Sequence, residues 1–64
     1  MKYYVSCKVF NQGHLIDSYD LDNQGQGYNL KAAQKIREEK DDVVFDGPAQ
    51  GTEATVYGWD GKRA

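Results

Sequence analysis

Gly25-Gln26-Gly27-Tyr28-Asn29-Leu30-Lys31-Ala32-Ala33-Gln34-Lys35-Ile36-Arg37-Glu38-Glu39-Lys40 is the stretch whose reading decides the fold. Two glycines and an asparagine lead into the one segment with helical spacing. Leu30, Ala33 and Ile36 recur three apart with Ala32 beside them, which makes a narrow apolar stripe. Ala, Leu, Lys, Gln, Arg and Glu are strong helix formers. Asn29 is placed to cap the first turn by accepting a backbone N–H. The spacing predicts a helix from Asn29 or Leu30 to about Lys40, with Lys31, Lys35, Arg37, Glu38 and Glu39 on its wet side. Asp41 and Asp42 follow where the helix dipole disfavours negative charge, so the helix ends there. Arg37 and Asp41 are spaced for a weak pair.

Upstream, Lys2–Phe10 is rich in Tyr, Val and Phe and reads as a strand. Tyr3, Val5, Cys7 and Val9 alternate onto one face and Tyr4, Ser6, Lys8 and Phe10 onto the other. Asn11-Gln12-Gly13 is a hairpin loop and Leu15–Leu21 the returning strand. A three-residue loop sets Phe10 against His14, Val9 against Leu15, Val5 against Tyr19 and Tyr3 against Leu21. A two-residue loop sets Val9 against Ile16 and Val5 against Asp20. Burial at ~25 cal/mol per Å² favours the first register over the exposed Lys8–Asp17 pair that the second gains. That register leaves Asp17 on the core face opposite Cys7, where it must reach water at a sheet edge or receive a partner.

Downstream, Val43-Val44-Phe45 reads as a short strand, Asp46–Gly51 as a loop around Pro48, and Thr52–Trp59 as an alternating strand. Ala54, Val56 and Gly58 suit the space beneath a helix. Residues 60–64 are expected to fray or to contact a neighbouring subunit. The expectation is one α+β domain over residues 1–64. Its antiparallel sheet has three or four strands with one helix on one face, in the order ββαββ.

Composition narrows the function classes. A chain of 64 residues buries only ~60% of its unfolded surface. The lone Cys7 excludes an internal disulfide and reads as a small buried hydrophobe. One histidine and one cysteine argue against a structural zinc site within a single chain. The net charge of −2 argues against a general nucleic-acid binder. No apolar run approaches a membrane span, and the N-terminus lacks a signal-peptide core, which points to a cytoplasmic protein. No catalytic set is evident: His14 and Cys7 fall on opposite faces, so no nucleophile–base pair forms. The chain reads as a non-enzyme with no metal and no cofactor.

Two surfaces are candidates. One helix covers one side of a sheet, which leaves Tyr4, Lys8, Phe10, His14, Ile16, Tyr57 and Trp59 on the other. A bare aromatic face of this kind fits a homo-oligomer interface, a stacking platform for a base, or a dock for a foreign protein. The second surface is the start of the helix. Its free N–H groups attract anions, Gly25 and Gly27 permit close approach, Lys31 adds charge, and Tyr28 and Asn29 offer a ring and an amide. Together they make a candidate cradle for a nucleotide-like ligand.

In its size, its single compact α+β unit and its lack of a catalytic set, the chain resembles the small accessory proteins that bacteriophages encode against bacterial defences. The resemblance implies one of two activities. The leading one is sequestration of a nucleotide immune signal by a homo-oligomer in pockets between subunits, for which Tyr28, Asn29 and Lys31 with the aromatic sheet face are the expected residues. The other is inhibition of a host defence complex by protein contact, in the manner of anti-CRISPR proteins or acidic nucleic-acid mimics. Either would act in the host cytoplasm.

Overall fold

The computed structural model describes residues 1–64. Strands β1 (Tyr3–Asn11) and β2 (His14–Leu21) form a hairpin, α1 (Leu30–Lys40) follows, and β3 (Gly51–Gly58) closes the sheet. The sheet is antiparallel with the order β2-β1-β3, so the N-terminal strand is central. The α+β class and the single helix are as the sequence led us to expect; the order is ββαβ.

Asn29 caps the helix as expected: its side chain accepts the Ala32 N–H at 2.8 Å. Ala33 is fully buried and Ile36 packs at the edge of the core. The small side chains of Ala33 and Ala54 let the helix lie close on the sheet, against Val5, Cys7 and Val56. The core is small, and each buried valine side chain contributes about 2 kcal/mol. Gly58 is buried on the same face as Ala54 and Val56, as the alternation required.

The helix packs on β1 and β3 and makes no contact with β2. That is why every residue of β2 before Leu21 is exposed. Asp17 therefore reaches water although it lies on the helix side of the sheet.

The hairpin register differs from expectation. The turn is two residues, with Asn11 opposite His14, and Gln12 and Gly13 both have positive φ (51° and 82°). Two left-handed central residues make a type I′ turn, whose twist matches the strands it joins. Phe10 then faces Leu15 and Val9 faces Asp17, which leaves Ile16 as an extra residue in a β-bulge. Beyond the bulge Cys7 faces Tyr19 and Val5 faces Leu21. Without it, Val5 would meet Asp20. The bulge thus keeps Asp20 away from the core, as a three-residue loop would also have done. His14, expected opposite Phe10, instead falls on the helix side of the sheet, and Leu15 takes the place opposite Phe10.

Val43–Phe45 is not a strand. Only Val44 makes a bridge, with Gln50, through paired bonds of 2.8 and 3.0 Å. The Asp42 N–H donates to the Thr52 carbonyl, but the Asp42 carboxylate, not its carbonyl, accepts the Thr52 N–H at 2.6 Å. That substitution ends the ladder. Residues 60–64 turn back along β3: Arg63 bridges Tyr57, and the Ala64 N–H donates to the Val56 carbonyl at 2.9 Å. No helix is long and apolar enough to cross a membrane.

Candidate functional site

The outer face of the sheet, away from the helix, divides into two ends. At one end the register puts Tyr4 opposite Tyr57. Their rings stack at 5.7 Å between centroids and 21° between planes. Trp59 meets Tyr4 edge-on at 6.0 Å and 85°. The Lys2 Nζ stands 5.3 Å from the centre of the Trp59 ring, in cation–π range. Trp59 is held there by its backbone: its N–H donates to the Lys2 carbonyl at 2.9 Å. The following turn is fixed where the Gly61 N–H meets the Gly58 carbonyl and the Gly58 N–H meets the Lys62 carbonyl. Trp59 keeps 46% of its surface exposed.

Phe10, expected in the same patch, is half-buried at the other end of β1. Six residues of strand, about 20 Å, separate it from Tyr4. Between them the outer face carries Ser6, Lys8, Glu53 and Thr55, a polar band of the kind that water covers. The bare aromatic face is therefore one compact cluster with a separate apolar tip. The tip carries Leu15 and Ile16, together with Val44 and Phe45 of the loop that the Gly13 N–H binds through the Ala49 carbonyl. Phe45 is 65% exposed. His14 is exposed at the hairpin turn and Lys8 on the open face of β1.

Beside the aromatic cluster is a hollow of about 190 Å³ lined by Tyr4, Asp20, Asp22 and Trp59. Its position follows from the bulge. The shifted register sets Asp20 opposite Ser6 and carries Asp22 next to Tyr4. No cation lies within ion-pair distance of either carboxylate, since the one ion pair in the molecule is Arg37–Asp41 at 3.9 Å. Alternation along single strands does not bring Lys2, Asp20 and Asp22 to this cluster. Cross-strand register is the signal that finds them.

The residues of the expected cradle lie close together in sequence but do not converge. Tyr28 exchanges backbone hydrogen bonds with Tyr3 at 2.8 and 2.9 Å and packs against the core. The Asn29 side chain is engaged as the cap. Gly25 and Gly27 adopt positive φ, which glycine permits. The Gly25 N–H points at the Asp22 carboxylate at 3.3 Å, a negative group where an anion would have to sit. Lys31 is exposed on the helix, beside a shallow groove of about 490 Å³ shared with Asn29, Gln34, Lys35 and Glu38.

A third hollow, about 430 Å³, opens between α1 and β3 and is lined by Gln34, Arg37, Glu38, Thr55, Arg63 and their neighbours. It exists because residues 62–64 fold back, which the sequence does not announce. Burial pushes the Cys7 thiol above its ordinary range; the Tyr19 hydroxyl and the Lys40 charge pull it partly back, and Asp20 adds to the rise. The charge of Cys7, with some desolvation, raises the Tyr19 phenol in turn. The thiol is fully enclosed, which suits a packing role and not a reactive one. No three His, Cys, Asp or Glu side chains gather in a metal-binding arrangement. The chain matches no protein-family model, no curated protein and no solved structure.

Proposed function

We propose that this chain is a non-enzymatic docking protein. It inhibits or adapts a partner protein by covering part of its surface with the Tyr4–Tyr57–Trp59 end of the sheet. The observation that carries this reading is that an ordered aromatic cluster stands partly bare on the face that the helix leaves open. Exposed aromatic clusters of this kind are enriched at protein interfaces. Inhibition by protein contact is one of the two activities that the resemblance implies. A doubly substituted Tyr57→Ser, Trp59→Ser chain with unchanged far-ultraviolet circular dichroism tests the reading. The native chain should retain a partner from the host cytoplasm in a salt-sensitive way, and the variant should lose it. Identical profiles for the two chains would sink it.

The second reading is sequestration of a nucleotide-like anion by a homo-oligomer. Lys31 and Lys35 beside the helix-start groove support it, and the apolar tip offers a place for subunits to meet. Thermal-shift measurements against nucleotides address the ligand, because a ligand that binds only the native state must raise its stability. Solution mass at micromolar concentration addresses assembly. Ile16→Asp should abolish any dimer that forms through the tip.

A further inference from the structure

We propose that the hollow between Tyr4, Trp59, Asp20 and Asp22 receives an arginine side chain of the partner protein. The proposal rests on the docking reading and adds what the partner must present. Chemistry selects the occupant. Two carboxylates at the mouth of an aromatic hollow have no cation of their own within ion-pair distance. Two of the four lining side chains are aromatic, and an aromatic π-face attracts a cation when water is displaced. The Lys2 ammonium stands 5.3 Å from the centre of the same indole, so the ring already meets one positive charge. An anion would face Asp20 and Asp22 at close range and is excluded by like charge.

Guanidinium fits this site better than ammonium. It is planar and stacks on rings, it is weakly hydrated, and its fork can reach two carboxylates at once. The volume of about 190 Å³ admits one extended side chain and no folded element. Asp22 is partly engaged, accepting the Gly25 N–H at 3.3 Å, which fixes the carboxylate in place and leaves its second oxygen for a partner. Asp20 has no hydrogen-bond partner for its carboxylate within the chain, and it is the more available of the two.

Trp59 is the only tryptophan, so its fluorescence reports on the site directly. The probe is the tripeptide acetyl-Gly-Arg-Gly-amide, compared with the same peptide carrying citrulline, which keeps the shape without the charge, and with the lysine peptide. Saturable quenching or shift by the arginine peptide at millimolar concentration is expected, with no response to citrulline and a weaker one to lysine. Asp20→Asn should weaken the arginine response about tenfold while circular dichroism stays unchanged. Equal responses to arginine and citrulline would overturn the proposal, as would no response at all or full retention in Asp20→Asn. Lysine binding as tightly as arginine would overturn the guanidinium assignment. The docking reading has its own separate outcome: if Tyr57→Ser, Trp59→Ser loses the partner and Asp20→Asn does not, the face docks and the hollow is empty in the complex.

Discussion

The two edges of this sheet are finished in opposite ways. Along β3 the outward backbone groups are taken up by the chain itself. The Thr52 and Ala54 N–H groups donate to the carboxylates of Asp42 and Asp41 at 2.6 and 3.0 Å, and the folded-back residues 62–64 bind Val56 and Gly58. Along β2 nothing covers the edge. There the Ser18 N–H is taken by the carboxylate of the adjacent Asp17 at 2.9 Å, and the Ile16 bulge bends the strand. An open edge invites strand-to-strand aggregation, and bulges and edge charges suppress it. One edge is part of the packed structure; the other is only made unattractive. Substitutions at the first should therefore cost stability, and substitutions at the second should change solution behaviour.

The largest effect is expected at Gly51. Its φ of +103° is costly for any side chain, and a Cβ would lie 2.7 Å from the Asp42 carbonyl oxygen. Gly51→Ala should lose about 3 kcal/mol, read as a drop in thermal midpoint of more than ~10 °C for a domain of this size. Next are Asp41→Ala and Asp42→Ala, each expected to cost about 1 kcal/mol through a strand N–H left without its carboxylate. Asparagine at either place keeps an acceptor and should restore most of the loss in chemical denaturation. A mild response to all three would mean that the β3 edge is no better secured than the β2 edge.

Cys7 lies beneath both neighbours, opposite Tyr19 and Ala54. Its thiol is raised in the folded state, so the unfolded chain loses the proton first as pH climbs. The stability linked to this group is complete below the unfolded thiol value of about 8.5 and is lost as pH rises through the folded value. Cys7→Ala should flatten that alkaline decline in a series of denaturant titrations. The smallest change in stability is expected for Asp17→Ala, within ~0.5 kcal/mol. Its signature lies elsewhere: solution mass should rise with concentration as the Ser18 N–H is freed. Unchanged mass would show that the bulge alone protects β2.

The parts of this fold that were legible in the sequence are those set by local chemistry. Asn29 before a run of helix formers fixed the start of α1, and the small residues Ala54, Val56 and Gly58 marked the strand face beneath it. The hairpin was visible, but its register was not. The type I′ turn at Gln12-Gly13 depends on backbone twist, and the bulge at Ile16 has no local signature. Val43–Phe45 has the composition of a strand, yet a side chain of Asp42 took the place of a backbone carbonyl. Alternation found Tyr4, Tyr57 and Trp59. It grouped Phe10 with them because a shared face says nothing about distance along it. Asp20 and Asp22 joined the candidate site only through the shifted register, and Tyr28 left it because its backbone and ring serve the core.

The position of β1 between its sequence neighbour and the last strand has a consequence for how the chain matures. The hairpin can close as soon as Leu21 is available, but an isolated pair of strands is marginal in water. Ala33 of the helix covers Val5 and Cys7 on one face, but the flank of β1 beside them closes only when Gly51–Gly58 arrives later in the chain. During synthesis the nascent protein must therefore hold its future interior open until that last strand emerges, and the decisive step of folding is a long-range closure.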